Sequence, residues 1–246
     1  MRLLDREPPY ASVVESRPGS YWNLVAPYAF ASGLLDRAQE RGALRYVLAH
    51  GSRLLGLVRA GGYALYGRTA QYPTSGTDEV YGVNVARFLA RMDEPDELVL
   101  SLYGELAAAM TLDTFVSGEA ASVAPLGGQG ERSMYLPPNS VSNDALLETL
   151  RQMLVQDGAG GLRLAYATPR AWLRPGAHIS VTDVPTTFGP LSYTLAASRG
   201  SVHVTLVVPS VTKPPSLHLR LRTPGATRTL DLCGRTGKLD FVMRLP

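Results

Sequence analysis

Apolar positions recur along this chain with two different periods, and the change falls near residue 158. Before it the steps are helical. Leu44, Val47, Leu48, Leu54, Leu55 and Val58 make one apolar stripe at three- and four-residue spacing, and Leu98, Leu102, Leu106 and Met110 make a second. Leu146, Leu147, Leu150, Met153 and Leu154 form a third, which the glycines of "DGAGG" are expected to end. A start signal precedes the second stripe. Pro95 suits the first helical position, and Asp96 and Glu97 would face the positive end of the helix. Two further helices are predicted, an all-round apolar one over 21–35 ("YWNLVAPYAFASGLL") and a short one over 81–92 ("YGVNVARFLARM"). The first part of the chain thus reads as five or six helices in antiparallel hairpins.

After residue 161 the period becomes two. Val202, Val204, Leu206 and Val208 alternate with Ser201, His203, Thr205 and Val207, and Leu217, Leu219 and Leu221 alternate with His218, Arg220 and Arg222. Turn signals such as "RPGA", "ASRGS", "KPPS" and "TPGA" separate these strands at intervals of about 8–14 residues, as in an all-β sandwich. The expected organisation is a helical domain over 1–157 and an antiparallel β-sandwich over 158–246. Arg220 and Arg222 are read as a solvated strand face. No aromatic residues interleave with them, so nucleic acid is not an expected partner.

Composition narrows the function classes. The 246 residues are 45% hydrophobic and 18% charged with a net charge of +3, the balance of a globular protein. No stretch reaches the roughly 18 uninterrupted apolar residues of a membrane span, and "MRLLDREPPY" lacks the apolar run of a signal peptide. The expected location is cytoplasmic, with no membrane partner. Cys233 is the single cysteine, so no internal disulfide forms, and along the sequence it lacks the neighbours of a zinc site. His50, His178, His203 and His218 are scattered, and neither metal nor cofactor is expected. "GGQGER" follows no strand, "GRTGKL" has neither the spacing nor the hydroxyl of a P-loop, and no serine occupies a G-x-S-x-G elbow.

Tyrosines and carboxylates change the picture. Ten of the twelve tyrosines lie in the first 135 residues, many in loops beside Asn, Gly and acids: "RPGSYWN", "GRTAQYPTSGTDEVYG", "MYLPPNSVSND". A sugar cleft needs flat aromatic faces for C–H surfaces and amides or carboxylates for hydroxyls. Tyrosines filling loop–helix junctions would give the same composition. Glycoside hydrolysis needs an acid for the leaving oxygen and a base or nucleophile opposite. Glu119, Asp113, Asp78 and Glu79 are the candidates. Glu119 follows Gly118 among small residues, where desolvation would raise its pKa. A helix-cap role is the alternative for Glu119 and the better one for Asp113. Asp93, Glu94, Asp96 and Glu97 read as helix-start electrostatics.

Four stretches together resemble the C-terminal part of glycosidases built on an (α/α)6 toroid followed by a β-sandwich: "RPGSYWNLVAPYAFASGLL", "GTDEVYGVNVARFL…DTFVSGEAASVAPL", "YLPPNSVSNDALLETLRQMLV" and "LRLAYATPRAWLRPGAHISVTDVPTTFGPLSYTL". The resemblance implies a glycoside hydrolase acting on an oligosaccharide or glycan, with carbohydrate as the partner. It implies that Tyr21, Trp22, Asn23 and Tyr81 line a sugar cleft with Asp78 and Glu79, and that Glu119, Tyr135 and Asn139 come from later loops. Glu119 is the preferred catalytic carboxylate, Asp78 and Glu79 its companions. A complete toroid has twelve helices, about twice the number expected here. A second copy, or an N-terminal half outside this chain, is then expected to cover the open side. The alternative function is a non-catalytic carbohydrate-binding or interaction module derived from such an enzyme.

Overall fold

The structure, a computed structural model, describes residues 35–49, 53–60, 76–122 and 134–244. Nearly all of the helix expected over 21–35, with Tyr21, Trp22 and Asn23, lies outside them. The chain divides into two units, Met1–Leu150 and Arg151–Pro246.

The first unit mixes helices with a sheet that the helical spacing does not predict. Its helices are α1 (Arg37–Ala49), α2 (Gly82–Met92), α3 (Pro95–Gly104) and α4 (Ser140–Leu154), the last running into the second unit. The strands β1 (Arg53–Leu54), β2 (Leu57–Ala60), β3 (Gly76–Asp78), β4 (Ala120–Ser122) and β5 (Met134–Tyr135) form one antiparallel sheet in chain order. The apolar stripe expected to run from Leu44 to Val58 is therefore broken. α1 stops at Ala49, and Leu55 and Gly56 take positive φ to turn β1 into β2, the backbone that a two-residue hairpin demands.

α3 starts as predicted, with Pro95 at its first turn beside Asp96 and Glu97. It continues without a break into a π-helical turn, Glu105–Ala109. Leu98, Ser101, Leu102, Glu105, Ala108 and Ala109 are its buried positions. In α4 the buried face is Ser142, Ala145, Thr149 and Met153, whereas Leu147, placed on the apolar stripe above, is 63% exposed. Ala145 and Thr149 of that face pack on the group described below.

The second unit has two four-stranded sheets. One runs β13 (Lys238–Arg244), β10 (Ser201–Val207), β9 (Leu191–Ser198), β8 (His178–Val184), all antiparallel. The other runs β12 (Thr227–Asp231), β11 (Leu217–Arg222), β7 (Gly161–Leu164), β6 (Val155–Gly158). Here the antiparallel expectation needs correcting, since β11 and β7 pair in parallel. The glycines of "DGAGG" do not end the helix, which stops at Leu154 and passes directly into β6; they form the β6–β7 hairpin turn, with Gly158 opposite Gly161. Inward residues of both sheets build one core, among them Leu162, Leu164, Leu195, Val202, Val204, Leu206, Leu219 and Leu221. The period-two alternation of β10 and β11 is the alternation of this burial.

The arginines of β11 are not a solvated face. Arg222 is 2% exposed and its Nη1 donates to Thr168 O at 3.0 Å. Arg220 lies 3.8 Å over the Tyr166 ring. Both cations are held by local partners, because a β11 neighbour loop supplies a carbonyl and a ring at their height.

Candidate functional site

Three stretches that are distant in sequence meet on the sheet of the first unit. β3 pairs with β4, setting Asp78 opposite Ala120, and β4 pairs with β5, setting Ala120 opposite Tyr135. Glu119, at the entry to β4, is held by its backbone on both sides. Glu79 N–H donates to Glu119 O at 3.2 Å, and Glu119 N–H donates to Tyr135 O at 2.8 Å. Gly118 is required at this crossing: a Cβ there would lie 2.5 Å from Tyr135 O and 2.3 Å from Met134 Cγ. Glu119 is half-buried and Tyr135 exposed.

Asp78 and Glu79 lie inside the unit, at 0% and 2% exposure. Glu79 begins a single 3-10 turn, Glu79–Tyr81, that leads into α2; Tyr81 is described only through its backbone. The glutamate carboxyl meets that of Glu105, at the start of the π-helical turn, in a side-chain hydrogen bond. Thr149 of α4 donates its hydroxyl to Glu105 Oε1 at 3.5 Å. Burial pushes the Glu105 carboxyl up to about 8, with the bonds from Glu79 and Thr149 acting the other way. At neutral pH the pair therefore holds a proton between its two carboxyls. The surrounding cavity, bounded by Gly56, Leu57, Ser101 and Gly82 among others, is about 10 Å³, at the limit of what one water needs. The carboxyls inside it can exchange a proton with each other or with a water, and no sugar fits.

A larger depression borders the same sheet. It measures about 530 Å³ and is lined by Met110, Val116, Ala121, Ser122, Met134 and Pro137 among others, within the size range of small-ligand sites. Its rim includes the loop after the π turn, where Met110 bridges to Ser117 and Thr111 N–H donates to Val116 O at 2.9 Å. Asp113 sits at the exposed tip of that loop with φ +66, as a turn residue. Asn139 is placed at the start of α4. Its Oδ1 accepts the Ser142 N–H at 3.0 Å, capping the helix, and its carbonyl O accepts the Ser117 hydroxyl at 3.0 Å.

Of the residues predicted to share a cleft, Asp78, Glu79, Glu119 and Tyr135 are joined through the sheet, and Asn139 is tied to Ser117 two residues before Glu119. Glu105 is the acid that sequence reasoning passed over. The signal was present: Glu105 stands seven residues after Leu98 and three after Leu102, on the inward stripe of an otherwise apolar helix.

No protein family and no curated protein matches this sequence. Among solved structures, the chain is similar to Ara127N-Se, a GH127 beta-L-arabinofuranosidase from Geobacillus stearothermophilus T6, with a TM-score of 0.45 and 11% identity. The likeness covers 92% of this chain and 41% of that one, so this chain spans about two fifths of its length. Among the described residues, no helix is long and apolar enough to cross a membrane.

Proposed function

We propose that the chain belongs to a toroid-type glycoside hydrolase, acting on an oligosaccharide or glycan by carboxylate acid–base chemistry. In this reading residues 1–157 supply part of a helical toroid with its sugar cleft, and residues 158–246 supply the β-sandwich that follows it. Glu119 is the proton donor or acceptor, and Tyr135 is the platform for a sugar face.

The observation in favour is the backbone row from Glu79 through Glu119 to Tyr135. It ties the half-buried Glu119 and the exposed Tyr135 through their backbones to a sheet whose residues Ala121, Ser122 and Met134 line a depression of about 530 Å³. A glycosidase needs an acid and a flat apolar surface close to a sugar-sized depression. A second carboxylate about 5–9.5 Å away would complete the chemistry.

One observation favours the second reading, a module that binds carbohydrate without cleaving it. Asp78, Glu79 and Glu105 are buried, and the Glu79–Glu105 pair sits in a cavity far smaller than a sugar ring. A glycan panel assayed for both hydrolysis and binding separates the two. Hydrolysis lost in Glu119→Gln supports the enzyme, and binding without hydrolysis, weakened in Tyr135→Ala, supports the module. A panel with neither removes both.

A further inference from the structure

Three ligand-bearing side chains converge on the solvent side of the second unit. β11 and β12 run antiparallel with His218 opposite Asp231, and His218 Nδ1 lies 4.0 Å from Asp231 Oδ1. Beyond β12 the chain doubles back. Cys233 N–H donates to Asp231 Oδ1 at 2.8 Å, Leu232 N–H donates to Leu217 O at 2.8 Å, and Gly234 takes φ +79. The turn brings Cys233 Sγ to the backbone of Leu217, where it accepts that residue's N–H at 3.4 Å. One imidazole nitrogen, one carboxylate oxygen and one thiol sulfur then lie within 4.8 Å of one another, the one such group of three among the described residues.

We propose that His218, Asp231 and Cys233 form a zinc site with its fourth position open to water. Zinc with bonds of about 2.0–2.3 Å holds tetrahedral donors roughly 3.3–3.7 Å apart. The present spacing, within 4.8 Å, must contract by at most about 1.5 Å. Asp231 and Cys233 are exposed, so side-chain rotation can achieve this while β11 stays in place. A mixed set of thiolate, imidazole and carboxylate suits zinc and does not suit magnesium or calcium, which take oxygen ligands. Thiolate and carboxylate together balance the charge of the ion. A carboxylate accepts at both oxygens, so Asp231 can hold the turn and the metal at once. The Leu217 N–H aimed at Sγ is an outer contact of the sort that orients a metal ligand. Sequence spacing missed the site because its partners come together only across the β11–β12 pair. Since β12 is the edge strand of its sheet, the ion would fasten the edge and the following turn to β11.

Untagged, reduced full-length protein titrated with zinc in a calorimeter is expected to bind one ion per chain with a Kd of about 10 µM or below. His218→Ala and Cys233→Ser are each expected to weaken it at least tenfold. All three residues lie at the surface or partly so, and matching circular dichroism spectra would establish that the variants fold. Cobalt-loaded protein should show a thiolate-to-cobalt charge-transfer band that Cys233→Ser lacks. The site is overturned by absence of stoichiometric zinc binding at about 100 µM, by either variant binding within tenfold of wild type, or by a cobalt spectrum without that band.

Discussion

Glu79 and Glu105 meet carboxyl to carboxyl inside the first unit, and Gly82 makes room for them. A Cβ at Gly82 would lie 3.1 Å from Glu79 Oε2 and 2.8 Å from Ala145 Cβ. The absence of a side chain at the head of α2 lets α4 close over two acids. Such an enclosed pair stays inside only by retaining a proton.

That proton links stability to pH. The Glu105 carboxyl is raised from its ordinary value to about 8 in the folded protein, so the folded state binds the proton more tightly than the unfolded chain. Stability from this source is present below the ordinary carboxylate range and is lost as pH rises towards about 8. Glu105→Gln keeps the shape and removes the titration. Thermal melts at about pH 5, 6.5 and 8 should show wild type losing stability relative to Glu105→Gln across this window. Parallel curves for the two proteins would contradict the shared proton.

Gly104 offers a test in which two effects of opposite sign compete. Glycine to alanine inside a helix normally stabilises by about 1 kcal/mol. Here the added Cβ would lie 2.1 Å from Leu55 O, a backbone atom of the β1–β2 turn that cannot rotate aside. Overpacking costs typically about 1–3 kcal/mol and should win. Gly104→Ala is expected to unfold at lower denaturant concentration than wild type.

Arg222 should behave as a core residue despite its charge. Arg222→Ala removes a buried side chain and the donor to Thr168 O, and should cost about 2–5 kcal/mol in chemical denaturation. A change below about 0.5 kcal/mol, typical of surface positions, would restore the solvated-face reading.

How much of this was legible in the sequence depended on the length of each pattern. The strands β9, β10 and β11 hold six to eight residues each, long enough for period-two alternation to show, and their inward leucines and valines are the core. The helices α2 and α3 announced themselves by their apolar spacing and by Pro95. The sheet of the first unit was hidden because its strands are two to four residues long, too short for any period to register. Leu147 misled because an exposed leucine at helical spacing looks like a core one, whereas Thr149 and Ser142 take the buried positions. Glu105 was overlooked because a charged residue type hides its place on the inward stripe, at regular helical spacing from Leu98 and Leu102. Asp78, Glu79, Glu119 and Tyr135 were picked out by residue type, but only the antiparallel pairing of β3, β4 and β5 brings their backbones together.

The account turns on whether Glu119 acts on a glycosidic bond. The direct measurement is kcat/KM of wild type and Glu119→Gln on a glycan that the wild type hydrolyses, with thermal melts confirming equal folding. Loss of a general acid or base should lower kcat/KM by about 100-fold or more. Unchanged turnover in Glu119→Gln, or a wild-type protein that hydrolyses none of the glycans offered, would contradict it.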